Sequence, residues 1–305
     1  MRLLLLGPLG LRARDGRPIP PGGRRVGLLI ARLALNPAEL VPTSTLITDL
    51  WEDEPPAAGG VNALHRLVSR ARRTLGQAGH DDAGVISGPG GYTLTVGPAD
   101  VDAHQFERLA AKGRRLLRAG DPEQAVPVLR EALSLWRGAA LPEFAGTGFA
   151  SRAAARLEEL RLAAVEDHVE ARLDLGGAPE LLAELYGLTA THPLRERATG
   201  LLMRALQLSG SPAEALAAYE RLRAALSDAL GAVPSAELRR IHAEALSDGA
   251  RRGPGRPGRR PRPARPAHAP TPPPPPGGAA APRRAPTPAP PPHPTPPHRP
   301  ERPFP

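Results

Sequence analysis

Val61-Asn62-Ala63-Leu64-His65-Arg66-Leu67-Val68-Ser69-Arg70-Ala71-Arg72-Arg73-Thr74-Leu75, followed by Gly88-Pro89-Gly90-Gly91-Tyr92, decides how the first hundred residues fold. Laid out at about 100° per residue from Val61, the side chains of Leu64, Leu67, Val68, Ala71 and Leu75 fall between roughly 240° and 340°, a single apolar stripe. Asn62, Arg66, Ser69 and Arg73 fall between about 80° and 140°, and Arg70 sits at the edge of that polar face near about 180°. A helix anchored on one side and carrying Arg, Asn and Ser on the other fits a DNA major groove, where Arg pairs with guanine, Asn with adenine, and Ser with bases or phosphates. A solvated amphipathic face has the same pattern, so the flanking sequence decides. Val85-Ile86-Ser87, the glycine-rich turn and Tyr92-Thr93-Leu94-Thr95-Val96 read as strand, turn and strand, which puts a hairpin directly after a basic third helix. That is the wing of a winged helix-turn-helix. The glycines match neither the dinucleotide fingerprint nor the Walker pattern and lead into a strand, which argues against a phosphate loop.

Upstream, Asp15-Gly16 between Leu11-Arg12-Ala13-Arg14 and Arg17-Pro18-Ile19 favours a tight hairpin, so the chain opens with a small antiparallel sheet. Leu28, Leu29, Ala31, Leu33 and Leu35 predict a first helix that closes before Asn36-Pro37. A second is expected from Thr43 or Ser44 as N-cap through Trp51, ended by Pro55-Pro56. Downstream, Leu and Ala recur at three- and four-residue spacing from Val101 to Leu246. Gly176-Gly177-Ala178-Pro179-Glu180 and Gly210-Ser211-Pro212-Ala213-Glu214 lie one tetratricopeptide period apart, and Gly120-Asp121-Pro122-Glu123 is an earlier copy out of register. Such turns stop one helix and start its antiparallel partner, so that stacked pairs share a core.

Several separate stretches, in order, resemble one family. In the first half they are Leu50-Trp51 with Pro55-Pro56, Asn62-Ala63-Leu64, Val68 to Gly76, and Gly91-Tyr92. The second half adds Ala132-Leu133-Ser134-Leu135-Trp136-Arg137-Gly138, Arg156-Leu157-Glu158-Glu159-Leu160-Arg161, Glu166-Asp167, His192-Pro193-Leu194-Arg195-Glu196-Arg197 and Glu237-Leu238-Arg239-Arg240-Ile241-His242. Over about residues 1 to 247 the chain resembles the Streptomyces antibiotic regulatory proteins, which join an OmpR-type winged helix to a bacterial transcriptional activator domain. The resemblance implies a pathway-specific activator of secondary-metabolite genes that binds tandem direct repeats as a side-by-side pair and recruits RNA polymerase. Two departures fall on the reading surface. Arg66 and Leu67 stand where relatives commonly have an aliphatic residue and an aromatic, and Gly88 stands where a basic wing residue is common.

Composition bounds the remainder. The 305 residues include 40 Lys+Arg, 31 Asp+Glu and no Cys, which excludes disulfides, thiolate zinc sites and a cysteine nucleophile and fits a reducing cytoplasm. Residues 251–305 hold 11 of the basic side chains against one acid, and 23 of the 40 prolines. The basic excess therefore belongs to the tail, and a case for DNA binding by the remaining residues rests on local geometry. The tail reads as disordered, semi-extended chain able to strengthen DNA association without choosing sequence. A GC-rich gene read out of frame gives the same composition, so the transcript across residue 250 decides between the two origins. No run approaches the roughly 18 apolar residues of a membrane helix. The leucines after Arg2 are broken by Gly7, Pro8 and Gly10, unlike a secretory leader.

The DNA-contacting candidates are Arg66, Arg70 and Arg73, supported by Asn62 and Ser69, with His65 beside them. Arg24 and Arg25, read as preceding the first helix, face the positive end of its macrodipole, which a nearby DNA phosphate would offset. Glu52, Asp53 and Glu54 place three negative charges at the unfavourable end of the second helix. By resemblance to OmpR-type activators, these acids contact polymerase. Trp51, Tyr92, Phe106 and Trp136 read as core anchors. No histidine pair has metal-ligand spacing and no nucleophile motif is marked, so no cofactor, metal or enzymatic activity is expected. The predicted architecture is mainly α with a small β component: a winged helix-turn-helix at 1–98, an all-α tetratricopeptide-like domain at 101–248 and a disordered Pro/Arg-rich tail at 249–305. Its expected partners are double-stranded DNA, RNA polymerase and a second copy on DNA, with no membrane. The contrasting reading is a protein-interaction scaffold that lacks specific DNA binding.

Overall fold

The computed structural model describes residues 1–52, 59–77 and 84–251. Two small antiparallel sheets and ten helices make up these residues. The first sheet runs β1 (Arg2–Leu4), β2 (Gly10–Arg12), β3 (Pro18–Ile19), with Leu3 opposite Leu11 and Leu11 opposite Ile19, so that one face of leucine and isoleucine turns inward. The Asp15-Gly16 turn forms as expected, with the Arg17 N–H donating to Asp15 Oδ1 at 2.9 Å. Then come α1 (Arg24–Ala34), β4 (Val41–Pro42), α2 (Thr43–Trp51) and α3 (Gly60–Gly76). The hairpin of β5 (Val85–Gly88) and β6 (Gly91–Leu94) pairs back onto β4 in the order β4, β6, β5. This is the winged helix-turn-helix read from the sequence. The Pro55-Pro56 stop lies outside the described residues, as does the tail after residue 251.

Two local expectations are corrected. Thr43 and Ser44 do not cap α2. Pro42 holds the cap position without a side-chain bond, because β4 feeds straight into the helix and the Thr43 N–H is taken by the Gly90 carbonyl in the wing turn at 2.9 Å. Arg24 and Arg25 do not precede α1 but form its first turn, after Gly23.

The remaining helices are α4 (Asp102–Arg118), α5 (Pro122–Ser134), α6 (Gly148–Asp174), α7 (Ala178–Thr191), α8 (Glu196–Leu208), α9 (Pro212–Leu230) and α10 (Ala236–Arg251). The three Gly-x-Pro-type turns join α4 to α5, α6 to α7 and α8 to α9. Each closes with the same double bond pattern. At the first, the Gly120 N–H donates to Leu117 O and the Asp121 N–H to Leu116 O; Gly176 with Gly177, and Gly210 with Ser211, repeat it. The glycines carry φ of 76°, 91° and 81°, the left-handed conformation this C-terminal motif requires. The first turn is out of register because a 27-residue α6 and the segment before it separate it from the second.

Buried apolar residues form two clusters among the described residues. One runs from the N-terminal sheet through α1, α2, α3 and the wing into α4, α5 and the first part of α6. The other joins the end of α6 to α7, α8, α9 and α10. Where α6 passes between them, buried Glu166 and Asp167 meet arginines from two sides. Arg195 Nε donates to Glu166 Oε1 at 2.8 Å, Arg114 Nε to Asp167 Oδ2 at 2.8 Å, and Arg197 Nη2 to Asp167 Oδ1 at 2.6 Å. No helix among the described residues is long and apolar enough to cross a membrane.

Candidate nucleic-acid interface

The third helix is fixed from behind. Ala63, Leu64, Leu67, Val68, Ala71, Thr74 and Leu75 are buried, at the i, i+3, i+4 spacing of one face. Asn62, His65, Arg66, Ser69, Arg70 and Arg73 are exposed on the other, so the whole candidate set on α3 shares one surface. Within that surface the side chains differ in commitment. Asn62, Arg66 and Arg73 make no hydrogen bond or ion pair among the described residues. The Ser69 hydroxyl donates back to the His65 carbonyl at 3.0 Å, and Arg70 Nη2 donates to the Gly22 carbonyl at 3.0 Å, tying α3 to the turn before α1.

Arg72, quoted in the family motif but assigned no role from sequence, holds the wing. Its Nε donates to the Val85 carbonyl at 2.6 Å and its Nη2 to Ser87 Oγ at 2.9 Å. The hairpin is closed on its other side by a backbone approach that only glycine permits. A Cβ on Gly91 would collide with the carbonyl oxygen of Val41. Gly88, where a basic residue was noted as missing, lies against Leu40, and a side chain there would strike Leu40 Cδ1.

Arg24 and Arg25 are exposed but engaged within the fold. Arg24 Nη2 donates to the Glu143 carbonyl at 3.3 Å and its guanidinium lies 5.9 Å from the Phe144 ring centre; that of Arg25 lies 5.6 Å from the Trp51 ring centre. These contacts offset the dipole penalty with no added phosphate. Among the described residues, neither arginine joins the α3 face through a hydrogen bond. Glu52 stands apart from that face too. Its Oε1 accepts the N–H of Gly148 at 2.6 Å, at the first residue of α6. The charge that is unfavourable at the end of α2 is therefore placed where the positive end of another helix welcomes it. Asp53 and Glu54 lie outside the described residues.

The tie from the N-terminal sheet to the helical half was also missed. Asp102, at the start of α4, accepts the N–H of Leu5 at 2.6 Å and of Leu6 at 3.2 Å, with Arg137 Nη2 at 3.5 Å. Burial pushes its carboxyl above the usual carboxylate range, against the pull of those donors. No local signal marks this role, since the partners lie nearly a hundred residues away.

A helix-turn-helix with a hairpin wing, its third helix presenting free Arg and Asn, joined to stacked helix pairs, defines a winged-helix transcriptional regulator. Residues 101–246 match the family model of the bacterial transcriptional activator domain. The chain is 42% identical to the transcriptional regulator RedD of Streptomyces coelicolor, over 80% of this chain and 69% of RedD. It is 36% identical to the regulatory protein DnrI of Streptomyces peucetius, over 81% of this chain and 93% of DnrI. The solved structure of Mycobacterium tuberculosis EmbR in complex with a low-affinity phosphopeptide aligns with a TM-score of 0.76 at 35% identity, covering 81% of this chain and 65% of that one. The chain belongs to the Streptomyces antibiotic regulatory protein family and is a transcriptional regulator.

Proposed function

We propose that the protein is a DNA-binding activator of secondary-metabolite genes, working in the cytoplasm at the nucleoid. It reads tandem direct repeats as a side-by-side pair and recruits RNA polymerase. The residues before about 98 read DNA, and those from about 101 to 248 carry the activator domain. The observation that carries this reading is the α3 face, where Asn62, Arg66 and Arg73 are exposed and unpartnered among the described residues while the opposite side is buried. Free guanidiniums and a free amide on a rigid helix are available for base edges without first breaking an internal bond. Arg70 and Ser69 support them, and Arg24 and Arg25, exposed at the start of α1, supply phosphate contacts. Family membership supports the remaining steps.

Binding of the full chain to duplexes from promoters near its own gene, against scrambled competitor at physiological salt, tests the reading. Arg66→Ala is expected to lose about 1–3 kcal/mol on the cognate duplex and to relax preference at one base pair. Equal losses on cognate and scrambled DNA would make Arg66 a backbone contact. Binding that the competitor abolishes would favour the protein-interaction scaffold instead. For the polymerase step, Asp53 and Glu54 are assigned the contact, since the Glu52 carboxylate is held by α6. A double Asp53→Ala, Glu54→Ala variant is expected to bind DNA normally and transcribe less, and unchanged transcription would dismiss the assignment.

A further inference from the structure

A cleft of about 480 Å³ opens where α1 and α2 meet the start of α6. Its size is that of a small-molecule site, and its walls come from two parts of the protein that the reading function alone does not require to be joined. On the α1 and α2 side, Arg32 and Asp49 neutralise one another, with Arg32 Nε 2.6 Å from Asp49 Oδ2. Arg32 also donates to Asn36 Oδ1 at 2.9 Å, and its guanidinium lies 5.8 Å from the Phe149 ring centre. On the α6 side stand Arg152 and Arg156, four residues apart and so on one face of the helix. Arg156 Nη2 holds Glu107 Oε1 at 2.5 Å, leaving its other nitrogens uncommitted among the described residues. Arg152 has no hydrogen bond or ion pair among the described residues.

Two like charges one helical turn apart repel each other. Of the acids nearby, Asp49 is matched to Arg32, Glu107 is held by Arg156, and Glu52, whose carboxylate lies beside Gly148 on the same side as Arg152 Nη1, accepts the Gly148 N–H and makes no ion pair with Arg152. The cleft thus combines unmet guanidinium donors with an apolar floor at Phe149 and Leu35. Guanidinium forks match phosphate and carboxylate oxygens in pairs, and the floor suits a carbon skeleton. We infer that this cleft is a binding site for a small organic anion bearing a phosphate or paired carboxylates, held by Arg152 and Arg156. A ligand there touches α6 together with the helices that support α3, and uses none of the residues assigned to DNA.

Calorimetric titration of the full chain with pyrophosphate and with citrate, without DNA and at physiological salt, tests the site. Both probes also reach the α3 arginines, so an Arg66→Ala, Arg73→Ala variant is the control; the arginines after residue 251 are common to every variant. The expected result is a one-to-one component, for one probe or both, that this control keeps and that Arg152→Ala with Arg156→Ala weakens at least tenfold. Both side chains are exposed, and an unchanged melting temperature of that variant confirms that the loss is local. Binding that disappears with the α3 arginines, that survives in the Arg152, Arg156 variant, or that is absent for both probes would overturn the inference.

Discussion

Asp102 shows how much one buried carboxylate can join. At 5% exposure it divides its two oxygens between the backbone N–H groups of Leu5 and Leu6 and leans on Arg137, whose own backbone N–H and Nη1 donate to Leu6 O at 2.8 Å and Pro8 O at 3.0 Å. Asp102→Asn keeps one acceptor but turns an amide donor toward another donor, so a loss of about 1–3 kcal/mol is expected in thermal unfolding. The pH dependence has a definite sign. Because burial raises the carboxyl above 3.8, the folded state holds its proton more tightly than the unfolded chain. Its contribution is then fully present below about pH 3.8 and lost as pH rises through the folded value. The penalty of Asp102→Asn is expected to be larger near pH 4 than at pH 7. The reverse trend would mean that the N–H donors outweigh burial.

At the scale of elements, the wing depends on α3 through Arg72. Arg72→Ala is expected to speed amide exchange of the 85–94 hairpin while α3 stays protected; equal exchange in both would show that Arg72 contributes nothing to the hairpin. At this scale the sequence was most readable. The Asp15-Gly16 turn, the apolar stripe of α3, the wing and the glycine turns each announce themselves within a few residues, through a period or a turn preference. What stayed hidden depends on chain that is distant in sequence. Thr43 looks like a cap because nothing nearby reveals that β4 runs into the helix and that Gly90 satisfies its N–H. A helical projection puts Arg73 within the polar face and Arg70 at its edge but does not show that, of the two, Arg70 reaches a carbonyl among the described residues, that of Gly22. The Glu166-Asp167 and Arg195-Glu196-Arg197 motifs could be quoted separately, but their meeting could not be read from spacing. Helix α7, with the turns on either side of it, first has to bring them together.

For the whole molecule, the larger apolar cluster crosses from the sheets into α4, α5 and α6. Residues 1–98 alone would leave Leu3, Leu5 and Leu6, which are fully buried, uncovered on that side and would lack Asp102. The fragment is therefore expected to melt well below residues 1–251 and to expose apolar surface to a hydrophobic dye. A fragment with an unchanged melting temperature would show that the shared core adds nothing to residues 1–98.

Helix α6 belongs to both clusters and at 27 residues spans about 40 Å. Glu52 grips its first residue, and the ion pairs at Glu166 and Asp167 grip it two-thirds of the way along. A bar clamped at two points cannot turn at one without turning at the other. If two copies bind side by side as proposed above, a tilt imposed on its far end by the neighbour arrives at α2 as leverage, and α6 is the stiff member that carries the load between them.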